Sequence, residues 1–244
     1  MSEDLQKIHQ ELYSSFAHYT SGPGMDRSPL YEGRIKAMNK ELFGKPMPEL
    51  EPDDLVLYCG KAITTWGGAT DYKHFLPRIL ELSAQFRTPY EFWLVFDRMQ
   101  MAEFETWPQE EQDLIHQWML ALWKELLAYD GSLADSHFRD YFPALAHFYP
   151  NFEELLNVWQ DFKTPAYALH LANFLYDEQV AIFDRGKIPG FEDQSKNAAA
   201  FKTWLLSDRV YEGITSAFFK ASLPGDLDKL SIAEQILDQR RKFG

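Results

Sequence analysis

The sequence predicts an all-α protein, an irregular αα-superhelix or a multi-helix array of about ten to twelve helices. Three observations carry this. Apolar residues recur at spacings of three and four from end to end. Hydroxyl or acidic residues followed by proline or by Glu/Gln punctuate the chain at roughly helix-length intervals. The composition, 45% hydrophobic and 16% aromatic over 244 residues, supplies a large core without disulfide staples.

The elements follow in order. Leu5, Ile8, Leu12, Phe16 and Tyr19 form one stripe of a first helix, which stops in the breaker cluster Ser21-Gly22-Pro23-Gly24. A second helix is expected from Tyr31 to Phe43. Residues 45–52 hold three prolines and read as a connection. Asp53 reads as the cap of a helix running to Trp66, with Gly67-Gly68 as its stop. Asp71 caps the next helix, in which Pro77 either kinks the axis or opens a new helix. Thr88-Pro89 with Glu91, and Thr106 with Pro108 and Gln109, give two more starts. The run from Phe92 to Phe96 is β-prone in content, but its capped start and its continuation to Met99 favour helix.

The second half repeats the style. Ser132 with Asp135, Asn151 with Glu154, Thr164-Pro165, Ser207, and Ser231 with Glu234 read as N-termini. Two helices look central. One carries the rows Leu114, Trp118, Leu122, Leu126 and Ile115, Met119, Trp123, Leu127. The other carries Leu169, Ala172, Tyr176, Val180, Phe183 beside Tyr167, Leu171, Phe174. Residues 1–244 read as a single helical domain; if two lobes exist, the boundary belongs within 185–197, where Gly186, Pro189 and Gly190 lie.

Charge narrows the function classes. Twenty-four basic against 37 acidic residues leave a formal net charge of −13. A nucleic-acid binder needs a basic face, and so does docking on anionic lipid, so neither nucleic acid nor membrane is an expected partner. A basic protein partner is the expected complement. Cys59 is the only cysteine, which rules out an intrachain disulfide and a Cys-rich metal site. It lies in an apolar run and reads as an inert packer. The N-terminal residues lack a signal-peptide pattern, and no apolar stretch reaches membrane-span length, so the expected compartment is the cytoplasm.

Nucleophile elbows, phosphate-cradling loops and E-x-x-H pairs are absent from the sequence. The D-x-x-H spacings, Asp71 to His74 and Asp113 to His116, read as a cap and a boundary histidine. No metal and no cofactor are expected. His74 and Arg78, four apart at a helix start and following Trp66, read either as an anion-holding pair or as local packing groups. Glu178 follows Tyr167, Leu171 and Phe174 on one row, so it is expected in apolar surroundings near His170, paired to a cation or acting as a ligand anchor. Glu103 repeats that pattern.

Thr64-Thr65-Trp66-Gly67 followed by His74-Phe75-Leu76-Pro77-Arg78-Ile79-Leu80-Glu81-Leu82 resembles a bacterial helical family sharing a T-T-W-G … H-F-L-P-R block, over roughly Leu30 to Leu82. The resemblance implies a bacterial helical protein and brings no assigned activity. Relatives often carry C-P-C-C where this chain has Leu30-Tyr31-Glu32-Gly33, so no chemistry built on those cysteines carries over.

The expected function is therefore a non-enzymatic, acidic helical binding protein acting on a protein partner, of inhibitor or immunity type. The alternative is an enzyme or small-ligand binder with Trp66, His74, Arg78, His170 and Glu178 around a helical cavity. A homo-oligomer hiding surplus aromatic surface is a third expectation.

Overall fold

The computed structural model of the chain describes residues 1–25, 34–186, 188, 191 and 194–243. Among these residues it is all-α, with twelve α-helices and no β-strand. The expected helix start at Tyr31, and Pro189 and Gly190 of the expected linker, lie outside the described residues.

The chain forms two units, residues 1–122 and 123–244. The division falls inside α6 (Gln109–Ala128), and segment 185–197 lies within the second unit.

In the first unit α1 (Glu3–Phe16) packs on α4 (Ala69–Ala84), and α4 on α5 (Phe92–Met101). The helices α2 (Ile35–Leu42) and α3 (Pro52–Lys61) pack together, with α3 also against α5. Leu5, Leu12 and Phe16 of α1 are buried. Tyr19 falls beyond the helix end. The cap of α3 is Glu51 rather than Asp53: Asp54 accepts from the Glu51 N–H at 2.8 Å, so the acid at N3 closes the box. That helix stops at Lys61, short of Trp66, because Ile63 takes a left-handed φ of 67°. Asp71 likewise sits at N3 of α4 and accepts from the Gly68 N–H at 2.8 Å. Gly67 stands between the two helices at φ 72°, a conformation that glycine adopts without strain. Pro77 stays inside α4; the missing N–H costs one helical bond, and eleven buried residues along α4 outweigh it.

In the second unit α9 (Pro165–Gln179, continued by a π turn to Asp184) is contacted by α7 (Ala134–Phe148), α11 (Asp208–Lys220) and α12 (Pro224–Phe243). The pair α8 (Phe152–Trp159) and α10 (Ser195–Leu205) packs alongside, and α10 meets α11. Its core is aromatic. The indole of Trp123 stacks on Phe142 at 5.5 Å and meets Trp159 edge-on at 5.3 Å. Phe201 lies parallel to Phe191 and Trp204. Such offset and edge contacts add roughly 0.5–1.5 kcal/mol each beyond area burial. The Asn151 and Ser207 caps stand as expected, accepting from Glu154 N–H and Val210 N–H. Ser231 does not open a helix. It sits inside α12, which starts at Pro224. Both α6 rows are buried throughout, whereas Tyr176 and Val180 of the α9 row are exposed.

Candidate functional site

On the first unit, α3 turns Leu55, Tyr58 and Cys59 inward and leaves Val56 and Leu57 41% and 44% exposed. One turn on, Gly60 carries no side chain, and the Tyr90 ring lies 3.6 Å from where its Cβ would stand. Buried Arg98 of α5 donates from Nη2 to the Gly60 carbonyl at 3.3 Å. Its Nη1 reaches Asp97 at 2.9 Å and the Met101 Sδ at 3.0 Å. Tyr90 and Met101 are 44% and 45% exposed. Four large apolar side chains thus gather at the surface around one glycine. Their surroundings are acidic: across residues 51–61 and 90–106, seven carboxylates face two bases, Lys61 and Arg98. Asp53 shares the exposed face of α3 with Val56, Leu57 and Gly60, and Glu91 adjoins Tyr90.

The block residues do a different job in the same unit. The Trp66 indole donates to Asn39 Oδ1 at 2.8 Å, and the Asn39 amide donates to the Pro23 carbonyl at 2.6 Å. The Ser21 hydroxyl donates to Asp71 at 2.6 Å, and His74 Nδ1 meets the Tyr19 carbonyl at 3.0 Å. Because a carbonyl only accepts, His74 carries its proton on Nδ1. Arg78 donates to the Leu50 carbonyl and to Glu81, both at 2.7 Å, with Glu51 at 3.5 Å. Tyr13 adds its hydroxyl to Glu81 at 2.7 Å. Burial and that carboxylate push the Tyr13 phenol well up. So Trp66 and His74 hold the segment that follows α1 against α2 and α4, while Arg78 is engaged by a carbonyl and two acids.

Beneath that segment lies a feature that the sequence reading missed. Lys73 and Glu111 are buried and paired at 3.0 Å. The Tyr19 hydroxyl donates to Glu111 at 2.7 Å and stands 2.9 Å from Lys73 Nζ. The ammonium also sits 3.9 Å from the Trp107 ring centroid. Burial first, then the bond to Glu111, raises the Tyr19 phenol to about 12, so it remains a proton donor at neutral pH. The signal was available: Lys73 shares a helical row with Leu76 and Leu80, which forces it inward.

The second unit holds His170 and Glu178. His170 is buried, stacked on Phe138 at 4.9 Å, and donates from Nε2 to the Tyr129 carbonyl at 3.0 Å. Burial lowers its pKa, against the raising effect of carbonyls at the end of α6. Glu178 is half-buried near the end of α9, outside the apolar core expected for it, because α9 turns Tyr176 and Asp177 outward beside it. Glu103 is exposed at a left-handed φ of 57°. Of the five expected site residues, His170 lines a cleft of about 520 Å³, formed by the first turns of α9, the start of α12 and the loop after α6. Trp66, His74 and Arg78 belong to the other unit.

These features define a helical protein with an acidic-rimmed apolar surface in one unit and a ligand-sized cleft in the other. No family model, curated protein or solved structure matches the chain. No helix among the described residues is long and apolar enough to cross a membrane. Among those residues no three His, Cys, Asp or Glu side chains are grouped as a metal site requires.

Proposed function

We propose that this chain is a non-enzymatic binding protein that takes a basic protein partner on the α3–α5 surface. The single observation that carries the reading is the convergence of Val56, Leu57, Tyr90 and Met101 around Gly60, each more than two-fifths exposed. Exposed apolar side chains scattered singly are ordinary; four beside one bare backbone, with Tyr90 laid on Gly60 and Met101 against the Arg98 that holds the Gly60 carbonyl, make an anchor site. The carboxylates of Asp53, Glu91 and Asp97 rim it, and the chain's net charge of −13 steers a cationic partner toward it. An inhibitor of immunity type has this design: a preformed surface with no chemistry of its own. The encounter is set in the cytoplasm, where a lone cysteine stays reduced. Membership of the family sharing the T-T-W-G … H-F-L-P-R block belongs to the same proposal. In this chain Trp66, Asp71 and His74 tie down the segment after α1, a scaffold role that suits a binding protein.

The test compares the intact chain with L57D/M101D, both changes being on exposed side chains. The wild type is expected to capture a protein of high isoelectric point from extract of its own cells. Affinity should fall with rising salt, and the variant should bind at least about tenfold more weakly with an unchanged thermal melt. Capture of the same protein by the variant, an acidic captured protein, or no capture would each overturn the reading. So would sedimentation showing that the wild type self-associates through this surface and L57D/M101D does not.

A further inference from the structure

The cleft beside His170 carries a second, independent inference. Its volume of about 520 Å³ falls in the range that small ligands occupy, roughly 300–1,000 Å³. Ala166, Leu169 and Leu223 supply apolar lining, and His170 closes one side with its ring held by Phe138 and the Tyr129 carbonyl.

Several charges of this unit are paired: Arg139 takes Asp135 and Asp177, Arg240 takes Asp184, and Arg241 takes Asp208. Four around the cleft are not. Lys220 and Lys229 line it together with Asp130 and Asp226, and none of the four forms an ion pair among the described residues. Asp135, the remaining charged lining residue, is held by Arg139 at 3.0 Å. Asn173, one turn beyond His170, presents an amide without a hydrogen-bond partner among the described residues. Thr164, Pro165 and Ala166 also line the cleft, so the positive end of the α9 dipole opens onto it, and the Thr164 side chain does not cap it.

Two unpaired ammoniums and two unpaired carboxylates around an apolar floor are the complement of a molecule that carries both signs and an apolar body. We infer that the cleft binds a small zwitterion, an apolar amino acid or a short apolar peptide with free termini. Its carboxylate is taken by Lys220 and Lys229 at the α9 N-terminus, and its ammonium by Asp130 and Asp226. The apolar side chain lies over Leu169 and Leu223.

Amide spectra of the full chain, titrated with L-leucine and with Leu-Leu up to about 10 mM, test this. One or both should shift amides of residues 164–173 and 221–230, and binding of leucine alone or of Leu-Leu alone assigns the source. N-acetylation or C-terminal amidation of the bound ligand should weaken it about tenfold or more. Lys229→Met should lessen the penalty of amidation, and Asp226→Asn the penalty of acetylation. Both side chains stand at the cleft rim, so the fold is retained. Absence of localised shifts with both probes, or equal binding of the capped and free forms, would overturn the inference.

Discussion

The indole N–H of Trp118 donates to Nε2 of His9 at 3.0 Å, with both residues buried in the first unit. This bond exists only while the His9 ring is neutral, because a protonated imidazole has no lone pair to offer. Burial accordingly lowers the His9 pKa below its ordinary 6.5. His170 in the second unit is lowered for the same reason.

A pH dependence follows with a definite sign. Unfolded, both rings take protons near pH 6.5; folded, they resist until lower pH, so in that window the unfolded state binds more protons. Stability is therefore full above about pH 6.5 and declines as pH falls below it. Urea unfolding midpoints at about pH 7.5 and 5.5, above the carboxylate range, should show the drop. The double variant H9Q/H170Q should reduce it, since glutamine can accept from Trp118 and donate to Tyr129, while His116 and His137, lowered in the same direction by burial, keep a smaller share. A wild-type midpoint equal at the two pH values contradicts the assignment.

The Lys73–Glu111 pair makes a second prediction. Replacing Lys73 with Met leaves the Glu111 carboxylate buried with the Tyr19 hydroxyl as its close donor. Breaking a buried pair from one side costs about 3–5 kcal/mol, whereas removing both charges together costs much less. K73M/E111L should thus be more stable than K73M by denaturant titration. If K73M unfolds at the wild-type midpoint, the pair is not holding the segment after α1 in place.

Cys59 should be inert. It is buried beside Arg98 on α3, and burial raises the thiol to about 12 despite that guanidinium. The thiolate is the reactive form, so a disulfide reagent at about pH 8 should fail to label the native chain and label it at once in denaturant. Rapid native labelling would mean that the packing of α3 on α5 opens readily.

Much of the fold was legible because helix starts are local chemistry. Asn151, Thr164 and Ser207 each precede a helix by the hydroxyl, amide or proline logic of the first turn. Where local logic failed, a tertiary contact had taken the residues. Thr88-Pro89 reads as a start, yet α5 begins at Phe92, and Tyr90 is laid against Gly60 instead. Ser231 and Glu234 have capping-box spacing, yet Glu234 accepts from Tyr211 and Thr215 of α11, and α12 runs through both. The Glu178 expectation assumed that one apolar row continues to the end of α9. That row stops at Phe174, and Tyr176 and Val180 face outward.

The sequence alone determined the helical class, the buried rows of α6, and the inward placing of Cys59, because period and capping act within a few residues. Only the tertiary structure decided that Trp66, His74 and Arg78 serve as ties, that Lys73 finds Glu111, and that Val56, Leu57, Tyr90 and Met101 meet around Gly60. Those relationships join side chains tens of residues apart, and their distances depend on helix packing that no local spacing encodes.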